Sequence, residues 1–74
     1  MNKQRKAEIK TQIEQLNIIM NGVQKILDDE TDYFDNIPEN LQSSLRADTS
    51  EEAIDQLTEV VDDLNEAIEC LKSI

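Results

Sequence analysis

The chain has no histidine and no tryptophan, and it holds one residue each of cysteine, glycine, proline, tyrosine and phenylalanine. Without imidazole and with a single thiol, the common nucleophile–base pairs and imidazole metal sites are missing. The lone Cys70 excludes an internal disulfide and a thiolate metal cluster. One Gly and one Pro leave too few turn residues for a multi-stranded sheet. A core of Ile, Leu, Val and Ala with almost no aromatics suits helix packed on helix. No apolar run approaches the ~20 residues a membrane span needs. The basic N-terminus has no apolar segment behind it, so no signal peptide is visible and the expected location is the cytoplasm. Paired carboxylates can perform acid–base work, but nothing in the sequence suggests a pocket that would tune them. The expectation is a binding protein rather than an enzyme, with no cofactor and no metal.

What is present is acidic and strongly patterned. The 74 residues, read as one domain over 1–74, carry 17 carboxylates against seven cations. The charge is polarised along the chain. Residues 1–27 hold Lys3, Arg5, Lys6, Lys10 and Lys25 against Glu8 and Glu14, whereas residues 28–74 hold only Arg46 and Lys72 against fifteen carboxylates. That balance disfavours direct nucleic-acid binding, which needs a basic face, and it suits basic protein partners.

The apolar spacing predicts two helices. Ile9, Ile13, Leu16, Met20, Val23 and Leu27 alternate in steps of four and three, as do Ile54, Leu57, Val61, Leu64, Ile68 and Leu71. Each series is an a/d heptad seam with a left-handed packing tendency. With Ile13 and Ile54 at a, the g positions hold Ile19 and Ile26 on the first helix and Ala53, Val60, Ala67 and Ile74 on the second. An a/d/g face spans about 3/7 of a helix, which is bundle geometry. A lone hairpin gives each helix one neighbour, so the stripes predict self-association into a helical bundle, as a dimer or larger homo-oligomer. The expected fold is all-α: an antiparallel helical hairpin with a short helical connection.

The first helix is expected over about Lys3–Tyr33, ending before Pro38 and fraying where Asp28, Asp29, Glu30, Asp32 and Asp35 meet the negative end of its dipole. Thr49-Ser50-Glu51-Glu52 matches a capping box with Thr49 as N-cap, placing the second helix over about Ser50–Ser73. Between them, Pro38 suits the first turn of a short helix reaching Leu45. Leu41 and Leu45 do not share the register of Ile54 and Leu57, so a break or kink is expected near Arg46–Ser50.

Four features bear on function. Asp28, Glu30, Asp32, Asn36 and Glu39 fall at calcium-loop spacing, but Tyr33 stands where the sharp turn needs glycine and Pro38 follows at position 11; an acidic helix end is the better reading. Glu52, Asp55, Glu59, Asp62, Glu66 and Glu69 form a carboxylate ridge opposite the second seam. The ridge is the solvated face that an amphipathic helix requires, or else a mimic of the charge ladder of a nucleic acid, in which Asp55, Glu59 and Asp62 occupy a basic groove. Tyr33 and Phe34, the only aromatics, sit at the connection. They plug the bundle end with Ile37, Leu41 and Leu45, or anchor a partner or small ligand beside the hydrogen-bonding groups of Asn36, Asn40 and Arg46; the two roles are compatible, because a plug can form a pocket floor. Gly22 and Cys70, both at outward c positions, read as tolerated residues.

Tyr33-Phe34-Asp35-Asn36-Ile37-Pro38-Glu39-Asn40-Leu41-Gln42-Ser43-Ser44, followed by Arg46 and by Glu51-Glu52-Ala53-Ile54-Asp55, resembles a group of short acidic proteins encoded by phages and prophages of Gram-positive bacteria. In that group a basic first helix leads to a D-N-[IL]-P-E-[NS]-L-Q segment, an S-x-R element and an E-E-A-I-D type helix. The resemblance implies counter-defence or host takeover in a host-cell cytoplasm, through inhibition of a host protein or sequestration of a small signalling molecule. The competing expectation is a structural coiled-coil module that only oligomerises. An anionic signalling nucleotide would need cations, and Arg46 with the Lys3–Lys10 cluster are the only candidates.

Overall fold

A computed structural model describes residues 1–41 and 43–74. Two long helices, α1 (Lys3–Asp35) and α2 (Leu45–Lys72), pack against each other along their lengths. A single 3-10 turn, Glu39–Leu41, lies between them, and no strand occurs among the described residues. The expected all-helical hairpin with a short helical connection is therefore present, as a rod 59 Å long and 14 × 13 Å across.

Burial follows the heptads. On α1 the half-buried positions are the seam residues Ile9 to Leu27 with Glu30 and Phe34, joined on one side by Asn17, Gln24 and Thr31 at e. On α2 they are Ile54, Leu57, Val61, Leu64 and Leu71 with Ala53 at g, and Ile68 is fully enclosed. Among the described residues only Ile37, Ala47 and Ile68 are buried apolar side chains. Two helices enclose little, because each seam residue has protein on one side only.

The start of α2 departs from expectation. Its N-cap is Ser44, whose hydroxyl accepts from the Ala47 amide at 3.3 Å, and Thr49 lies inside the helix. No break interrupts residues 46–50. The reason is the heptad: Ala47 and Ser50 stand seven residues before Ile54 and Leu57, so they extend the a/d seam by a turn. Ala47 is wholly buried and Ser50 nearly so. One capping box contributes about 1 kcal/mol, and Ser44 supplies an equivalent cap while the added turn buries a seam layer. Asp48 then falls in the first turn, where the helix dipole favours a carboxylate.

The end of α1 also runs further than expected, to Asp35. Local bonds offset the crowding of carboxylates: Gln24 donates to Asp28 at 3.0 Å and Lys25 pairs with Asp29 at 2.9 Å. The Asn36 amide and side chain both donate to the Asp32 carbonyl, closing the helix.

Ser50 carries a buried hydroxyl with no hydrogen-bond partner among the described residues. An orphaned buried polar group costs roughly 1–3 kcal/mol. Ser50→Ala is accordingly expected to raise unfolding stability by about 1 kcal/mol in urea titrations. Ala47→Leu should lower it by about 1–3 kcal/mol, because no space remains at that layer.

Candidate functional site

The loop end is built by three local devices. Asn36 caps α1, the Ile37 amide donates to the Phe34 carbonyl at 3.1 Å, and the Leu41 amide donates to the Pro38 carbonyl at 2.8 Å. The Ser44 amide then donates to the Leu41 carbonyl at 3.0 Å and hands the chain to α2. This path tucks Ile37 inward as the buried side chain of the connection, with Phe34 half-buried at an a position. Leu41 and Leu45 do not join a plug. Leu45 is 82% exposed, because its f position faces away from the seam.

Around Ile37 the surface forms a shallow groove of about 480 Å³, lined by Tyr33, Asn36, Ile37, Pro38, Leu41, Ser44 and Arg46. A second groove of about 460 Å³ lies alongside, and Tyr33 and Arg46 border both. Of the expected loop-end residues, Tyr33, Asn36 and Arg46 are thus brought together. Phe34 and Asn40 line neither groove: Phe34 turns toward the helix pair and Asn40 stands exposed in the 3-10 turn. Ile37 and Leu41, expected as plug residues, line the groove as well, and Pro38 and Ser44 are lining residues that reasoning from aromatics and hydrogen-bonding side chains passes over. Pro38 lies in the D-N-I-P-E-N-L-Q segment, of which Gln42 lies outside the described residues, and Ser44 lies two residues beyond it.

The chemistry of this surface is simple. Tyr33 offers a half-exposed ring, Pro38 and Leu41 offer apolar area, and Arg46 has no ion-pair partner among the described residues. Asn36 spends its side-chain amide on the Asp32 carbonyl at 2.8 Å, so its role is to shape the turn.

The carboxylate ridge on α2 is exposed throughout, and of its six members only Glu69 has an ion-pair partner, Lys72 at 3.4 Å. Asp55, Glu59 and Asp62 are unpaired among the described residues. The Asp29 hydrogen bond and charge hold the Lys25 ammonium above the ordinary lysine range. Arg46 and the Lys3–Lys10 cluster are separated: Lys6 and Lys10 border a groove with Leu71 and Lys72 at the terminal end, while Arg46 stands at the loop end of the 59 Å rod. Within one chain they do not converge on an anion.

No family model, curated protein or solved structure matches this chain. Among the described residues no helix is long and apolar enough to cross a membrane.

The division between shaping and free residues yields a measurable contrast. Arg46→Ala should change unfolding stability by no more than about 0.5 kcal/mol, as for surface positions generally. Asn36→Ala should cost about 1 kcal/mol by removing a helix-closing hydrogen bond. Urea titrations followed by circular dichroism distinguish the two.

Proposed function

We propose that the chain is a non-enzymatic helical binding protein that self-associates and engages a host factor through its loop end, as an inhibitor or sequestering agent. The observation that carries this reading is the groove pair bordered by Tyr33 and Arg46. A half-exposed aromatic and an unpaired arginine over apolar floor residues are the side-chain types that most often anchor interfaces. They stand on the last turn of α1 and the first turn of α2, at g positions beside the a/d seam rather than within it. The likeness to phage-encoded proteins supports a target in the host-cell cytoplasm, under counter-defence or host takeover. The strongly acidic surface and the unpaired arginine are compatible with a basic protein surface and with a small anionic signalling molecule respectively.

Self-association is part of the same reading. Among the described residues the hairpin encloses only Ile37, Ala47 and Ile68 as apolar side chains, and a chain of this size is near the limit at which a single core suffices. A purely structural oligomerisation module is the second reading, favoured by the apolar area that the rod leaves uncovered. Under that reading the loop-end grooves have no ligand.

The deciding experiment is capture from host lysate with mass spectrometry of co-purifying proteins and small molecules, using three variants. Tyr33→Ala with Arg46→Ala should reduce capture by roughly 10-fold or more, in line with aromatic and arginine anchors. If charge mimicry is the mechanism, Asp55, Glu59 and Asp62 changed to Lys should abolish capture instead, and salt should weaken the complex steeply. Capture indifferent to both sets refutes a binding role for either surface and leaves the structural reading. Leu16→Asn with Leu64→Asn should unfold the chain, since loss of a seam leucine costs roughly 2–5 kcal/mol.

A further inference from the structure

The two flanks of the helix seam differ in kind. In an antiparallel pair the e positions of both helices border one side of the seam and the g positions border the other. The e flank is polar, and it satisfies itself: Asn17, Thr31 and Thr58 each donate to a carbonyl four residues earlier, at 3.1, 2.8 and 2.8 Å. The g flank presents Ile19 and Ile26 from α1 and Ala53, Val60 and Ala67 from α2, with Ile74 just beyond; its other positions are Arg5 and Gln12 toward the terminal end and the groove residues Tyr33 and Arg46 at the loop end. Ile19 is 53% exposed, Ile26 56% and Val60 42%.

None of the 17 carboxylates occupies a g position on either helix. In a chain this acidic, a carboxylate-free flank with an apolar centre is a surface built to be covered. Gly22, at c between Ile19 and Ile26, lowers the rim of the strip at its middle. The hairpin itself does not require that glycine, since an added Cβ would meet no atom within 4 Å.

We propose that a second copy of this chain covers the g flank in reversed orientation, the terminal end of each copy lying against the loop end of the other. This rests on the self-association proposed above and identifies its face and direction. Charge selects both the occupant and the orientation. Residues 28–55 hold ten carboxylates and a single cation, Arg46. Residues 1–10 and 65–74 hold five cations against Glu8, Glu66 and Glu69. The chain is therefore complementary to itself only when reversed, whereas like orientation stacks two strongly acidic loop ends. The area is sufficient, since a face 59 Å long and 14 Å wide is of the order of 800 Å², about one partner's share of a standard interface. Reversal also brings the N-terminal cations of one copy beside the Tyr33–Arg46 grooves of the other, uniting groups that one chain holds apart.

The test has two arms, both on the full chain. In the first, Ile19→Lys with Ile26→Lys is compared with wild type by sedimentation over a micromolar concentration series. Wild type should sediment at twice the 8.5 kDa chain mass or a multiple of it, and the variant should self-associate at least about 100-fold more weakly. Ile18→Lys, at an f position 70% exposed on another face, should leave association unchanged. In the second, energy transfer is measured after mixing copies labelled at the exposed Cys70 with Cys70→Ser copies labelled at Glu39→Cys. Efficient transfer between terminal and loop labels, with little between two Cys70 labels, supports reversal and is readable even if the lysine variant fails to fold. Transfer mainly between like ends overturns the orientation. An associating wild type that the lysine pair leaves intact overturns the face while sparing self-association, and a folded monomer at all concentrations overturns both.

Discussion

Everything in this molecule depends on the limited burial available to two helices that have only each other. A seam residue in a helix pair meets one neighbouring surface, and the observed burial reflects this: nearly all a and d side chains are half-covered, and few are enclosed. The same geometry explains where enclosure does occur. Near the connection the small side chains Ala47 and Ser50 are enclosed, and so is Ile37. At the terminal end Ile68 is enclosed and Leu71 is half-covered.

Much of the fold was legible because heptad spacing is a redundant signal. Six residues on each helix agree on one face, so an error at any one of them changes little. The start of α2 was misread because two local signals competed. Thr49-x-x-Glu52 has the form of a capping box, and Leu41 with Leu45 suggested a separate register. The residues that decide the matter, Ala47 and Ser50, are a small apolar and a small polar side chain that carry little weight in a hydrophobic pattern. They become visible only when the heptad is extended backwards and smallness is taken as a packing requirement.

The candidate site was half legible for a related reason. Tyr33 and Arg46 stand out by residue type, and the structure places them on the same grooves. Asn36 stood out too, but its amide is committed to the Asp32 carbonyl. Asn40 was chosen for its type alone and lies outside both groove linings. Whether a polar side chain at a turn is free or committed depends on backbone geometry that the sequence encodes only indirectly. The asymmetry between the flanks needed both sources: the g residues are plain in the heptad, but only the antiparallel pairing sets those of α1 and α2 side by side.

The nine-residue connection between Asp35 and Leu45 has a consequence for how the chain acquires its shape. In an antiparallel hairpin, pairs near the connection are separated by few residues, while pairs such as Ile9 with Leu71, which border shared grooves, lie some sixty apart. Closure entropy rises with that separation, so the layer at Phe34, Ala47 and Ser50 is the cheapest to nucleate and the terminal layers join by zippering from it. The two ends of the rod therefore differ in time as well as in charge. The acidic end is first to form and last to open, and the basic end breathes most often. A topology dominated by such stepwise growth folds quickly, and its opening fluctuations start at the termini rather than at the loop-end grooves.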